Sequence, residues 1–267
     1  MAIARNVDGD EVRTLRSQGW SLNKIAEHLR VSQSTVRHHT KNMVRRTPTQ
    51  KREYRRANMS DGVPLLPSIE LAYLIGVMCG DGCISKLPRT YQLTISCDTF
   101  YPELIATYAA LVEKLLKRPT SLDLNAKGTC AQVRLSDKHL PILLGLPPGK
   151  KPQDYPVPEW IFDDLNYVRP FIRGLIETDG NIYHEYRNNG WCSRCIFTAK
   201  IESIMTAFLR GTSMLGYDFR HVPAHYQARF TRTALVKQLA LELDVTKNRV
   251  YIQKSKSAQL PKRLDTE

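Results

Sequence analysis

The chain has 267 residues and no run of about 18 apolar residues, which excludes a membrane-spanning helix of ordinary length. Its first residues, MAIARNVDGDE, lack the apolar core of a secretory signal, so a cytoplasmic location is expected. Cysteine is sparse and scattered (Cys79, Cys83, Cys97, Cys130, Cys192, Cys195), and a chain of this length does not need disulfide staples. Reduced thiols in a reducing compartment follow. One CxxC occurs, Cys192–Cys195, with no second pair to complete a zinc site, and it falls in an expected strand rather than at a helix start. Acidic residues are also short, 26 against 39 Lys and Arg, for a net charge of +13. With a membrane surface as the rival, a nucleic acid is the better physical match for that charge.

The charge is uneven. Residues 1–60 hold thirteen Lys or Arg against five Asp or Glu, which places +8 of the +13 in under a quarter of the chain. Within that stretch, Val12, Leu15, Ile25, Leu29 and Val36 recur at helical spacings and can close a very small three-helix core. Gly19 is placed to end the first helix, Ser21 to cap the second, and Ser32 to cap a third that starts near Gln33. The alternative is a small bundle for protein contacts. The run that follows, Lys41 to Arg56, carries Lys41, Arg45, Arg46, Lys51, Arg52, Arg55 and Arg56 against Glu53 alone. That composition suits a solvated segment or, directly after a recognition helix, a tether along phosphates.

The most informative feature is a near-repetition. Leu74–Gly82 reads LIGVMCGDG and Ile172–Gly180 reads IRGLIETDG, two apolar helical runs that each close on Asp-Gly, with Asp81 and Asp179 98 residues apart. After each motif the same order of elements is expected, αββαββα. In the first copy this means strands over 83–89 and 90–97, a helix over 102–116, strands over 121–125 and 131–135, and a helix over 139–144. In the second it means strands over 181–186 and 192–198, a helix over 201–215, strands over 218–222 and 226–231, and a helix over 233–243. Gly76 and Gly80 in one motif, and Gly174 and Thr178 in the other, are small residues four apart that let two helix backbones approach closely. Asp-Gly is also a common turn dipeptide; its recurrence in the same context is what gives it weight here.

The doubled motif inside αββαββα repeats resembles the two-motif, single-chain LAGLIDADG homing endonucleases over residues 65–260, and SLNKIAEHLRVSQSTVRHH resembles the helix-turn-helix of resolvase and invertase DNA-binding domains. The implied architecture is α+β: a pseudo-two-fold pair of αββαββα repeats forming a DNA-binding saddle, plus an all-α helix-turn-helix. The expected boundaries are 1–42 for the helix-turn-helix, 43–64 for a basic linker, 65–158 for the first repeat with its proline-rich connector, and 159–267 for the second. The sequence departs from the family at Cys79, where an acidic residue is usual, and at Ile172-Arg173 in place of Leu-Ala. Neither departure touches the penultimate aspartates.

The resemblance implies that Asp81 and Asp179 are catalytic and bind Mg²⁺, with Mn²⁺ able to substitute, assisted by the carbonyls of Gly80 and Thr178. It also implies a basic residue beyond the last helix of each repeat: Lys150 or Lys151 in the first, and Lys254, with Lys256 in reserve, in the second. DNA contacts are expected from Gln33, Ser34, Thr35, Arg37 and His38 of the third helix, and from Arg45, Arg46, Arg52 and Arg55 of the basic run. The first sheet would add Ser85, Arg89, Gln92, Thr94, Lys127 and Arg134. The second would add Tyr183, Glu185, Arg187, Arg194, Arg220, His225, Gln227 and Arg229. The implied activity is site-specific hydrolysis of both strands of a long, imperfectly palindromic duplex by a monomer, leaving short 3′ overhangs. A DNA-binding transcriptional regulator on a degenerate version of the fold, and an intron RNA maturase, remain the alternatives. Retention of both aspartates speaks against the first.

Overall fold

The computed structural model describes residues 8–17, 20–40, 61–187 and 190–247, with the side chains of 184–187, 190 and 191 excepted. It divides into two compact units, Met1–Asn58 and Met59–Glu267.

The described residues of the first unit form three short helices, α1 (Gly9–Ser17), α2 (Leu22–His28) and α3 (Gln33–His39). Val12, Ile25, Ala26 and Val36 form its buried centre, with Leu15, Trp20, Leu22, Leu29 and Val31 packed around them. Ser21 Oγ accepts from the Lys24 amide and Ser32 Oγ from the Thr35 amide, so each serine satisfies a donor that an isolated helix start leaves orphaned. Arg30, at φ 53°, turns the chain between α2 and α3.

The second unit runs α4 (Ile69–Cys79), β1 (Gly82–Leu87), β2 (Thr90–Asp98), α5 (Pro102–Leu116), β3 (Ser121–Leu124), β4 (Cys130–Asp137) and α6 (Leu140–Leu144). A 3₁₀ turn at Glu159–Asp163 leads into α7 (Leu165–Asp179), β5 (Gly180–Arg187), β6 (Gly190–Thr198), α8 (Glu202–Met214), β7 (Arg220–Val222), β8 (Gln227–Phe230) and α9 (Thr233–Glu242). The expected αββαββα order is present twice. Each half forms a four-stranded antiparallel sheet, ordered β1-β2-β4-β3 and β5-β6-β8-β7. Several boundaries differ: β1 stops at Leu87, β4 runs on to Asp137, β7 starts at Arg220, and the last strand begins at Gln227 because Tyr226 adopts a left-handed φ of 53° after a 3₁₀ turn at Pro223–His225.

Both sheets bury one face. Leu93, Ile95, Val133 and Leu135 of the first sheet, and Ile182, Cys195, Phe197 and Phe230 of the second, face the core. Helices α5 and α8 cover them, α5 through Leu104, Tyr108, Leu111 and Val112 at helical spacing. Every residue from Leu71 to Cys79 is buried, as suits a helix that is apolar all round and lies between neighbours.

Candidate active centre and nucleic-acid interface

Helices α4 and α7 pack against each other through the small residues of the two motifs. A Cβ added at Gly76 would lie 2.2 Å from the Phe171 carbonyl oxygen, and one at Gly174 would lie 2.7 Å from that of Tyr73. Nearer the helix ends, a Cβ at Gly80 would sit 2.0 Å from Thr178 Oγ1. No larger residue fits at these three positions without moving backbone or a packed hydroxyl.

The two helices end differently. Thr178 donates its hydroxyl back to the Gly174 carbonyl at 2.9 Å, and the helical turn runs through Asp179. In the other copy α4 ends at Cys79, and Gly80 (φ −88°, ψ −101°) releases the chain one residue before Asp81. Asp81 therefore lies just past its helix while Asp179 closes its own. Both carboxylates are open to solvent. Asp179 Oδ2 lies 3.1 Å from where a Cβ on Gly80 would stand, so the carboxylate of the second repeat reaches the helix end of the first.

A lysine guards each helix end. Lys151 Nζ donates to the carbonyls of Cys79, at 2.7 Å, and Gly80. Lys247 Nζ donates to the Thr178 carbonyl at 3.1 Å and lies 5.7 Å from the centre of the Tyr101 ring. Partial desolvation raises the pKa of Asp179 to about 6, aided by the negative charge of Asp81. Asp81 is raised from the same first cause, with Lys247 and then Lys151 opposing. For Asp179 the order of the lysines reverses, Lys151 before Lys247. Each aspartate is thus served most by the lysine that sits on the other repeat's helix end. Burial lowers the Lys151 pKa, against the pull of Cys79, Asp179 and Asp81.

Of the two lysines expected after the first repeat, Lys151 reaches the centre and Lys150 is exposed on the connector. In the second repeat Lys254 and Lys256 lie outside the described residues. Lys247 was missed by the sequence reading, although a signal existed: it lies 68 residues after Asp179, as Lys151 lies 70 after Asp81.

Strand registers decide which polar residues share a face. Ser85 pairs with Gln92, and Thr94 with Arg134, all opposite to the core-facing set, but Thr94 is itself buried and does not present its hydroxyl to a partner as expected. Arg134 is engaged there by Asp123 at 2.8 Å and by Gln132. Arg89 and Lys127 are exposed at the hairpin turns. In the second sheet Tyr183 pairs with Arg194, whose guanidinium lies 6.0 Å from the Tyr183 ring centre. Arg220 pairs with Arg229, which donates to Gln227 at 2.9 Å, and His225 is exposed on the 3₁₀ turn. Glu185 and Arg187 lie on β5, their side chains outside the description. His221 and His225 are four residues apart but occupy a strand and a 3₁₀ turn, so they share no helix face. Among the described residues no group of three or more His, Cys, Asp or Glu is placed to hold a metal.

In the first unit, Arg37 and His38 are exposed on α3. Gln33 donates to Asn23, Ser34 Oγ lies 2.6 Å from Ser32 Oγ, and Thr35 Oγ1 lies 2.9 Å from it. Arg45, Arg46, Arg52 and Arg55 lie outside the described residues.

No family model matches the chain, and no curated protein does. Solved structures do. A mesophilic-variant structure of the homing endonuclease I-DmoI is 16% identical with a TM-score of 0.46, over 66% of this chain and 94% of that one. I-DmoI in complex with DNA and Mn gives 16% and 0.45, over 66% and 96%. The N-terminal LAGLIDADG domain of DUF199/WhiA gives 15% and 0.42, over 77% and 95%. At such identities a likeness says nothing of activity. The doubled motif, the doubled order of elements and the small-residue helix pair belong to this chain itself. The chain is similar to these structures and no more is read from them. In its own fold, Asp81 and Asp179 stand at the meeting point of the two repeats.

Proposed function

We propose that this chain is a site-specific DNA endonuclease that cuts both strands of a duplex, working as a monomer because one chain carries both half-sites. The observation that carries the reading is the cluster at the α4–α7 helix ends: two open carboxylates, one from each repeat, with two lysines held on the carbonyls of the same helix ends. The donors fit a hard divalent cation. They are carboxylate and carbonyl oxygens, and two like charges that resist joint ionisation are relieved by such a partner. Asp81 and Asp179, with the carbonyls of Gly80 and Thr178, would hold Mg²⁺ or Mn²⁺, which supplies a more acidic water and a Lewis acid for the phosphoryl oxygens.

The remaining work falls to the protein. Lys151 and Lys247 bring a positive charge beside each scissile phosphate, where charge builds up as the bond breaks. The polar faces of the two sheets lie along the major groove and read base edges, with Gln92, Arg194 and Arg229 suited to bidentate contacts. In the N-terminal unit, α2 and α3 act as a helix-turn-helix, with Arg37 and His38 toward the DNA and the basic run at 41–56 along the phosphates. This is the function of a homing endonuclease, with a long, imperfectly palindromic target and short 3′ overhangs as product.

The test is cleavage selection from a randomised duplex library with Mg²⁺ present. A defined site cut on both strands is expected, and Asp81→Asn or Asp179→Asn should bind that site while losing about 10³-fold or more of the cleavage rate. Binding without cutting by the unmodified chain would assign it to the regulators. Selective binding of folded RNA in place of DNA would assign it to the maturases.

A further inference from the structure

Glu177 is the most constrained acidic side chain of the α4–α7 interface, and the proposed chemistry does not use it. Its side chain is fully buried. Oε1 accepts from the Thr246 backbone amide at 2.8 Å and from Arg173 Nε at 3.2 Å, and Oε2 accepts from the Tyr73 hydroxyl. Arg173 continues the network to Asp244 and to Thr246 Oγ1, each at 3.3 Å.

Three of these bonds, to the Thr246 amide, Thr246 Oγ1 and Asp244, reach the short segment that leaves α9. That segment turns at Asp244, with φ 51°, buries Leu243, Val245 and Thr246, and then delivers Lys247 to the Thr178 carbonyl. A buried carboxylate stripped of a donor is costly, so Glu177 demands the Thr246 amide where it stands. The residue after that amide is the lysine. We propose that Glu177 positions Lys247, and through it one half-site only; this rests on the nuclease reading for its consequence in cleavage, though not for the geometry.

The other half-site is set by different means. The residue matching Glu177 is Cys79, a buried thiol that has no carboxylate with which to anchor such a network. Lys151 is delivered instead by backbone: the Gly149 amide donates to the Ile84 carbonyl of β1 at 2.8 Å, two residues before the lysine.

Three measurements test this, two of them independent of cleavage. In the metal-free protein, an amine-acylating reagent read by mass spectrometry should label Lys247 about tenfold faster in Glu177→Gln than in the unmodified chain, the worth of one charge-assisted hydrogen bond. Labelling of Lys151 should not change. Equal gains at both lysines, or none at Lys247, would overturn the assignment. Should the variant not fold, hydrogen exchange in the unmodified chain decides: a Thr246 amide that exchanges at the rate of an unstructured peptide overturns it. On a selected target, Glu177→Gln should slow one strand about tenfold and accumulate nicked duplex, whereas equal slowing of both strands would overturn the proposal. An unmodified chain that cuts no DNA sinks the nuclease reading and leaves the labelling result to stand alone.

Discussion

The two repeats reach the same arrangement from different residues. In the first, the chain leaves its helix at Gly80, one residue before the aspartate, and the lysine arrives on a proline-rich connector tied to the edge of β1. In the second, Thr178 prolongs the helix through its aspartate, and the lysine arrives on a buried segment bonded to Glu177. The sheet faces differ as well. The first offers Ser85 and Gln92 with an arginine already paired to Asp123, and the second offers Arg194, Arg220 and Arg229 with an aromatic ring. A two-fold arrangement of functional groups therefore does not require two-fold chemistry beneath it. What must match is the position of carboxylate and ammonium at the helix ends.

The interface is the strongest place to probe this. Gly76→Ala should cost about 3 kcal/mol or more, because the new methyl would meet the Phe171 carbonyl at 2.2 Å with backbone on both sides. Gly174→Ala should cost somewhat less, its nearest neighbour standing at 2.7 Å. Denaturant midpoints compare them, and a Gly76→Ala protein as stable as the parent would mean that the helices are not packed this closely. Next in size come the lysines. Lys151→Met and Lys247→Met should each slow cleavage of one strand about 10²-fold, and of different strands. Strand-resolved rates on an end-labelled target read this directly; if either variant slows both strands alike, the division into half-sites fails.

The smallest expected effect is electrostatic. The pKa of Asp179 stands at about 6, above its ordinary 3.8, so the folded chain favours the protonated acid. Stability from that group is present at low pH and is lost as pH rises through about 6. With the chelator EDTA present, Asp179→Asn should therefore gain about 1 kcal/mol at pH 8, a figure reduced for the open side chain, and almost nothing at pH 4. Melting temperatures at the two values check the sign. An equal gain at both would show that the cost of holding Asp179 ionised, from desolvation and then from Asp81, is not the cause.

Much of this was legible in the sequence because it is local or repeated. The Ser21 and Ser32 caps, the apolar spacing of α5 and the doubled Asp-Gly each depend on residues a few positions apart. Lys247 was not legible in the same way. Its role depends on Asp244 adopting a left-handed turn after α9 and on a carboxylate nearly 70 residues earlier, and nothing in TKNR announces either. The choice between Lys150 and Lys151 was likewise undecidable from adjacent identical residues, since only the path of the connector aims one of them inward.

The sequence by itself determined that two helices closing on aspartate would recur in a doubled αββαββα order, with small residues where the helices meet. It could do so because periodicity, caps and glycine are written in near neighbours. Tertiary structure alone decided that two lysines gather at the pair of carboxylates, that Glu177 supports one side where Cys79 stands on the other, and that the second sheet carries Arg194, Arg220 and Arg229. Those are contacts between residues far apart in the chain, and their geometry exists only once the glycines have let the two helices touch.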